Sequence, residues 1–246
     1  ILPILRKNYH DQLTLSTLYA YSEHYILTLG SRDVGSLEEF MAKLPGDEKQ
    51  KLAQVREAYS YMMVHPGCKM MAPGAAIPEE LGKCIQALNT LYKSSPALYQ
   101  MDDEYDGFEW VQLMKYEENV ITFLRKTEKP EETLLVICNF AAIPYENYQV
   151  GVPFAGKYKE IFNSDAVEFG GEGVVNSRVK TAKAEECDER EYSIKVKLPA
   201  LGVSIYSCTP GKAPARKKVT AAKTAKDKTA KDKTAGKLVR TVKAKT

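Results

Sequence analysis

The chain has 246 residues, 44% hydrophobic and 27% charged, with 15 Gly and 12 Pro; this suits one or two globular domains and excludes collagen or wholesale disorder. No apolar run approaches the ~20 residues that span a bilayer, and residues 1–5 meet Arg6 and Lys7 too soon for a signal peptide. The net charge of +3 hides two opposed regions. Residues 210–246 hold 13 basic and 2 acidic side chains, a net of +11, which leaves the first 209 residues at −8.

In chain order, residues 11–25 mix Leu13, Leu15, Leu18 and Tyr19 with polar positions in a helix-like pattern, and residues 25–30 form a short apolar run ended by Gly30, which predicts a buried strand. Pro45-Gly46 stops what precedes. Asp47 then caps a new helix, with Gln50 at the reciprocal position of a capping box. Leu52, Val55, Tyr59, Met62 and Met63 give that helix one buried face, and His65-Pro66-Gly67 ends it. Residues 68–72 read as a second strand. Pro78 opens another helix, with Leu81, Ile85, Leu88 and Tyr92 on one side, closed before Pro96.

After Ala97 the period changes from 3.6 to 2. Residues 120–124 and 134–138 are strand-like runs, residues 192–198 alternate strictly, and residues 203–208 supply a last strand, with Gly-rich punctuation between them. Short strands at this spacing predict an antiparallel sandwich or barrel. The basic segment contains a tandem TAKDK repeat and almost no large apolar residues, so it is expected to be disordered. Its lysines suit either a solvated tail or a polyanion-binding arm, without aromatic platforms for stacking on bases.

Several stretches resemble the C-terminal part of glycogen (1,4-alpha-glucan) branching enzymes of the alpha-amylase superfamily. They are Leu44-Pro45-Gly46-Asp47, residues 61–67, Leu88-Asn89-Thr90-Leu91-Tyr92-Lys93, Ser95-Pro96-Ala97-Leu98, Gly107-Phe108-Glu109-Trp110, Cys138-Asn139-Phe140, Gly151-Val152-Pro153 and residues 160–165. The resemblance runs from about Tyr9 to Pro210. It implies an α+β chain: residues 1–97 as the last strands and helices of an incomplete (β/α)8 barrel, residues 98–209 as an all-β antiparallel sandwich of the alpha-amylase C-terminal type, and residues 210–246 as the disordered Lys-rich tail.

It also implies a glycosyltransferase of carbohydrate metabolism that cleaves an α-1,4 bond and re-attaches the glucan as an α-1,6 branch, by a retaining mechanism with a carboxylate nucleophile on barrel strand four and a Glu acid/base on strand five. Both are expected upstream of Ile1, so the chain alone is expected to be inactive. The family's Ser-His-Asp-Glu after strand seven reads here Gly30-Ser31-Arg32-Asp33-Val34. Asp33 is thus a vestigial position for the residue that holds sugar hydroxyls in the transition state. Arg32 replaces the histidine, and a permanent cation cannot offer the neutral imidazole's hydrogen bonding. The loop after Met71 is also shorter than the family's.

The remaining constellations are weaker. His10, His24 and His65 lack metal-ligand spacing, and no cofactor is implied. Cys68, Cys84, Cys138, Cys187 and Cys208 contain no CxxC pair and read as thiols of a reducing, cytoplasmic compartment. Asp102-Asp103-Glu104 suits a solvated turn. Trp110 and Tyr105 are candidate sugar-stacking residues, with core packing the competing role for Trp110. Expected partners are an alpha-glucan such as glycogen and an upstream barrel-forming segment, with neither a membrane nor nucleic acid. Two alternatives remain open: a non-catalytic glucan-binding sandwich module, and polyanion binding through the tail.

Overall fold

The computed structural model describes residues 3–17, 21, 26–29, 37–71 and 77–212. Asp33 and nearly all of the basic segment lie outside the described residues. Among those described, no helix is long and apolar enough to cross a membrane.

The chain starts with 3-10 turns at Pro3–Leu13 and Leu15–Thr17, then β1 (Ile26–Leu29), α1 (Leu37–Lys43), α2 (Glu48–Val64), β2 (Cys68–Met71) and α3 (Glu79–Ser94). The helix expected from residue 11 is therefore replaced by tight turns through Thr17. The hydroxyls of Thr14 and Thr17 donate to the carbonyls of Asp11 and Thr14, local bonds that compete with helix propagation. Both bonds of the capping box form at α2: Asp47 accepts from the Gln50 amide at 2.8 Å, and Gln50 accepts from the Asp47 amide at 3.2 Å. α2 stops at His65, whose ψ of 146° is the extended conformation favoured before Pro66. β1 and β2 pair in parallel, Ile26 opposite Cys68 through Leu29 opposite Met71, with α1 and α2 in the connection.

Eight strands follow: β3 (Phe108–Gln112), β4 (Val120–Arg125), β5 (Leu134–Asn139), β6 (Tyr145–Val152), β7 (Gly156–Asn163), β8 (Lys180–Thr181), β9 (Tyr192–Leu198) and β10 (Gly202–Pro210). Six form an antiparallel sheet in the order β3-β4-β5-β10-β7-β8, and β6 pairs with β9 in a separate antiparallel ribbon.

Every residue of β4 and β5 is buried, because the large sheet is covered on both faces. Ile121, Phe123, Leu134, Val136 and Cys138 join Met63, Val64, Cys84 and Leu88 of the helices in one core. Their alternates Val120, Leu124, Leu135 and Ile137 meet Tyr148, Val150, Ile194 and Val196 of the ribbon in a second. Two-sided burial turns the usual alternation into near-continuous apolar runs. β9 has only one covered face and keeps its alternation. Ala97 and Leu98, at the expected boundary between the two regions, are both fully buried in the core shared by helices and sheet.

Candidate functional site

Charged and aromatic side chains cluster around the end of α2 and the start of β2. In β4, Ile121 and Phe123 point at the helices, and alternation sends Arg125 the same way. Its side chain is 0% exposed. Nη1 donates to the Val64 carbonyl at 2.7 Å, one of the oxygens left unpaired at a helix C-terminus, where a cation is also favoured. Nη2 donates to Asp102 Oδ1, and Asp102 Oδ2 accepts from the Gly67 amide at 2.8 Å. Lys69 of β2 places Nζ 3.6 Å from the same carboxylate and 5.0 Å from the centroid of the Tyr92 ring. One carboxylate thus serves two buried cations.

Burial pushes the Lys69 amine down to about 8, against the opposing pull of Asp102. His65, buried at the helix end, is pushed down to about 4, chiefly by desolvation, and so is neutral at pH 7. Its Nδ1 lies 2.9 Å from the Pro66 carbonyl.

Tyrosines surround this cluster. Tyr21 and Tyr105 stack with centroids 4.3 Å apart and planes inclined by 28°; Tyr92 and Tyr99 lie 5.8 Å apart. Tyr105 is 78% exposed and Tyr99 45%. Desolvation raises the phenols of Tyr21 and Tyr92, and both feel the opposing fields of Arg125 and Asp102. The arrangement leaves partly exposed ring faces beside a carboxylate whose two oxygens are already held by Arg125, Gly67 and Lys69. The Asp102–Arg125 pair is committed to structure, so bond cleavage by it is not supported.

Of the sequence candidates, Tyr105 lies in this patch. Trp110 packs edge-on against Phe108 and Phe123 at 4.9 and 5.6 Å, with Nε1 3.4 Å from Thr17 Oγ1, and is half-buried. Asp102, read as part of a solvated acidic turn, is instead the partner of Arg125, whereas Asp103 and Glu104 are exposed. Tyr21, Lys69 and Arg125 are not among the sequence candidates. The signal available was the charge closing the apolar run 120–124, since a buried arginine requires an anion. All five cysteines are free, with Cys84, Cys138 and Cys208 buried. Among the described residues no group of His, Cys, Asp or Glu is placed to hold a metal.

Comparison with known proteins fixes the setting. Residues 110–209 match the family model of the alpha amylase C-terminal all-beta domain. The chain is 37% identical over 225 residues to the 1,4-alpha-glucan branching enzyme GlgB of Oceanobacillus iheyensis, covering 82% of this chain and 35% of that protein. It is 32% identical to the GlgB of Bacillus caldolyticus, covering 82% and 34%. The chain therefore spans about a third of the length of the curated relatives it matches. Among solved structures, AmyP in complex with maltose matches with a TM-score of 0.53 at 12% identity, covering 83% of this chain and 45% of that one, a likeness of fold. The chain is homologous to the C-terminal part of 1,4-alpha-glucan branching enzymes, and its residues 110–209 carry the alpha amylase C-terminal all-beta domain.

Proposed function

We propose that this chain supplies the C-terminal part of a cytoplasmic enzyme of glycogen biosynthesis that cleaves α-1,4-glucan and re-attaches it as α-1,6 branches, and that the 246 residues alone do not catalyse the reaction. The parallel β1–β2 pair supports this reading. α1 and α2 lie in its connection, and among the described residues each strand has one strand neighbour, as the last two strands of a (β/α)8 barrel would before the others join. Retaining glycosyl transfer needs two carboxyl groups roughly 5–5.5 Å apart. The resemblance places both on strands that precede β1, to be supplied by the same or another polypeptide. Asp33, following β1, keeps at most its contact to sugar hydroxyls.

Complementation tests this. Mixed with a polypeptide carrying the family's first six barrel strands, the chain is expected to lower the iodine colour of amylose. A stable complex of the two that produces no branches would overturn the proposal.

A second reading, glucan retention by the β domain, is favoured by the Tyr21–Tyr105 stack and the 78% exposure of Tyr105. Trp110 is a weaker contact in this reading because Phe108 and Phe123 occupy part of its surface. Gel retardation in glycogen, reduced by Tyr105→Ala, supports this reading, and unchanged retardation opposes it.

A further inference from the structure

Away from the Asp102–Arg125 cluster, a cleft of about 340 Å³ opens between the first 3-10 segment, α1, α2 and the adjoining ends of β4 and β5. That volume sits at the lower end of the roughly 300–1,000 Å³ of small-ligand pockets. Phe40, Leu44 and Phe140 give it apolar walls, while Gln12, Gln54 and Asn119 bring amides to the same space.

The 3-10 segment is held in place from its far side. His10 is buried, with Nδ1 2.8 Å from Asn119 Oδ1 and Nε2 2.9 Å from the Leu113 carbonyl, contacts spanning more than 100 residues of sequence. Asn119 itself has φ of 53°, a left-handed conformation that Asn tolerates better than most residues. One end of its amide is thereby spent on His10. The other end, Nδ2, is buried at the cleft with no hydrogen-bond partner, in a residue 2% exposed. A buried polar group left unsatisfied is costly, so a partner that satisfies it is favoured.

The two ends of an amide are exchanged by a simple flip, so the unsatisfied atom is either a donor or an acceptor. A hydroxyl satisfies both cases, because it donates and accepts. A ligand with many hydroxyls and an apolar face, a pyranose, fits the amides and the phenylalanines together. We infer that this cleft binds a terminal glucosyl unit of an α-glucan, a holding site on the seam between helices and sheet. The inference rests on the proposed α-glucan function and adds where a chain end is gripped.

Maltose titrated into the chain, followed by amide and methyl NMR signals, tests it. Expected are saturable shifts at Leu13, Phe40, Ala58 and Asn119. Ala58→Leu, which fills the cleft from α2, should weaken maltose at least tenfold. Gln12→Ala, at an exposed position that leaves the fold intact, should weaken it severalfold. Tyr105→Ala should leave these shifts unchanged. Absence of shifts at the cleft, or shifts that disappear with Tyr105→Ala and persist in Ala58→Leu and Gln12→Ala, overturns the inference. Successful complementation with no maltose shifts here sinks the cleft alone. Shifts here with a branching-inactive complex uphold the cleft and sink the enzymatic reading.

Discussion

Replacing Asp102 with Asn removes the carboxylate that Arg125 and Lys69 share while keeping the side chain's shape. Arg125 is 0% exposed and stays charged whatever its surroundings, so its guanidinium is left with the Val64 carbonyl and a neutral amide. Lys69 has an escape. Burial already pulls its amine down to about 8, and losing Asp102 lowers it further, so that giving up its proton costs less. The cost is therefore dominated by Arg125, at about 3–5 kcal/mol for breaking a buried pair by removing one partner. At ~2–4 °C per kcal/mol for a domain of this size, the melting temperature should fall by about 6–20 °C. Urea unfolding followed by circular dichroism, with a second probe to establish a single transition, measures the free-energy loss, and a thermal melt the drop in temperature. Arg125→Met combined with Asp102→Asn should recover part of the loss, because the stranded guanidinium is gone. A loss below about 1 kcal/mol for Asp102→Asn alone would refute the reading that Asp102 neutralises the buried Arg125.

His65 titrates near pH 4 when folded and near 6.5 when unfolded, so the unfolded chain holds the extra proton in that window and stability falls as pH drops through it, by about 3 kcal/mol at most. His65→Gln should flatten the pH dependence of the urea midpoint between pH 6.5 and 4, and parallel profiles would contradict the assignment. Leu88→Ala, at a fully buried position of α3 against the sheet, should cost about 2–5 kcal/mol by the same unfolding assay. Tyr105→Ala should reduce retardation in glycogen gels while leaving stability within about 0.5 kcal/mol, since the ring is mostly exposed. Removing residues 213–246 should abolish salt-dependent retention on heparin, because that segment carries most of the basic excess.

Elements whose surroundings impose a simple pattern were legible in the sequence. β4 and β5 read as unbroken apolar runs because both faces of their sheet are covered, β9 reads as an alternation because one face is wet, and Asp47 with Gln50 marks the start of α2 by local chemistry alone. What resisted reading depends on distant partners. The first segment is held by His10 bonding to Asn119 and Leu113, not by its own periodicity. β6 and β7 mix tyrosines, charges and glycines because part of each strand is exposed. At the candidate site, Tyr105 was visible as an exposed aromatic, but its stacking partner Tyr21 lies 84 residues earlier. Asp102 looked like one of three surface acids. Only the fold shows which of them meets the buried Arg125.

The proposed function requires that these residues alone form no α-1,6 linkages. Purified chain incubated with amylose and examined by proton NMR for α-1,6 anomeric signals tests this most directly. No such signal is expected to grow above the substrate blank; steady accumulation of α-1,6 linkages by the chain alone would overturn the proposed function.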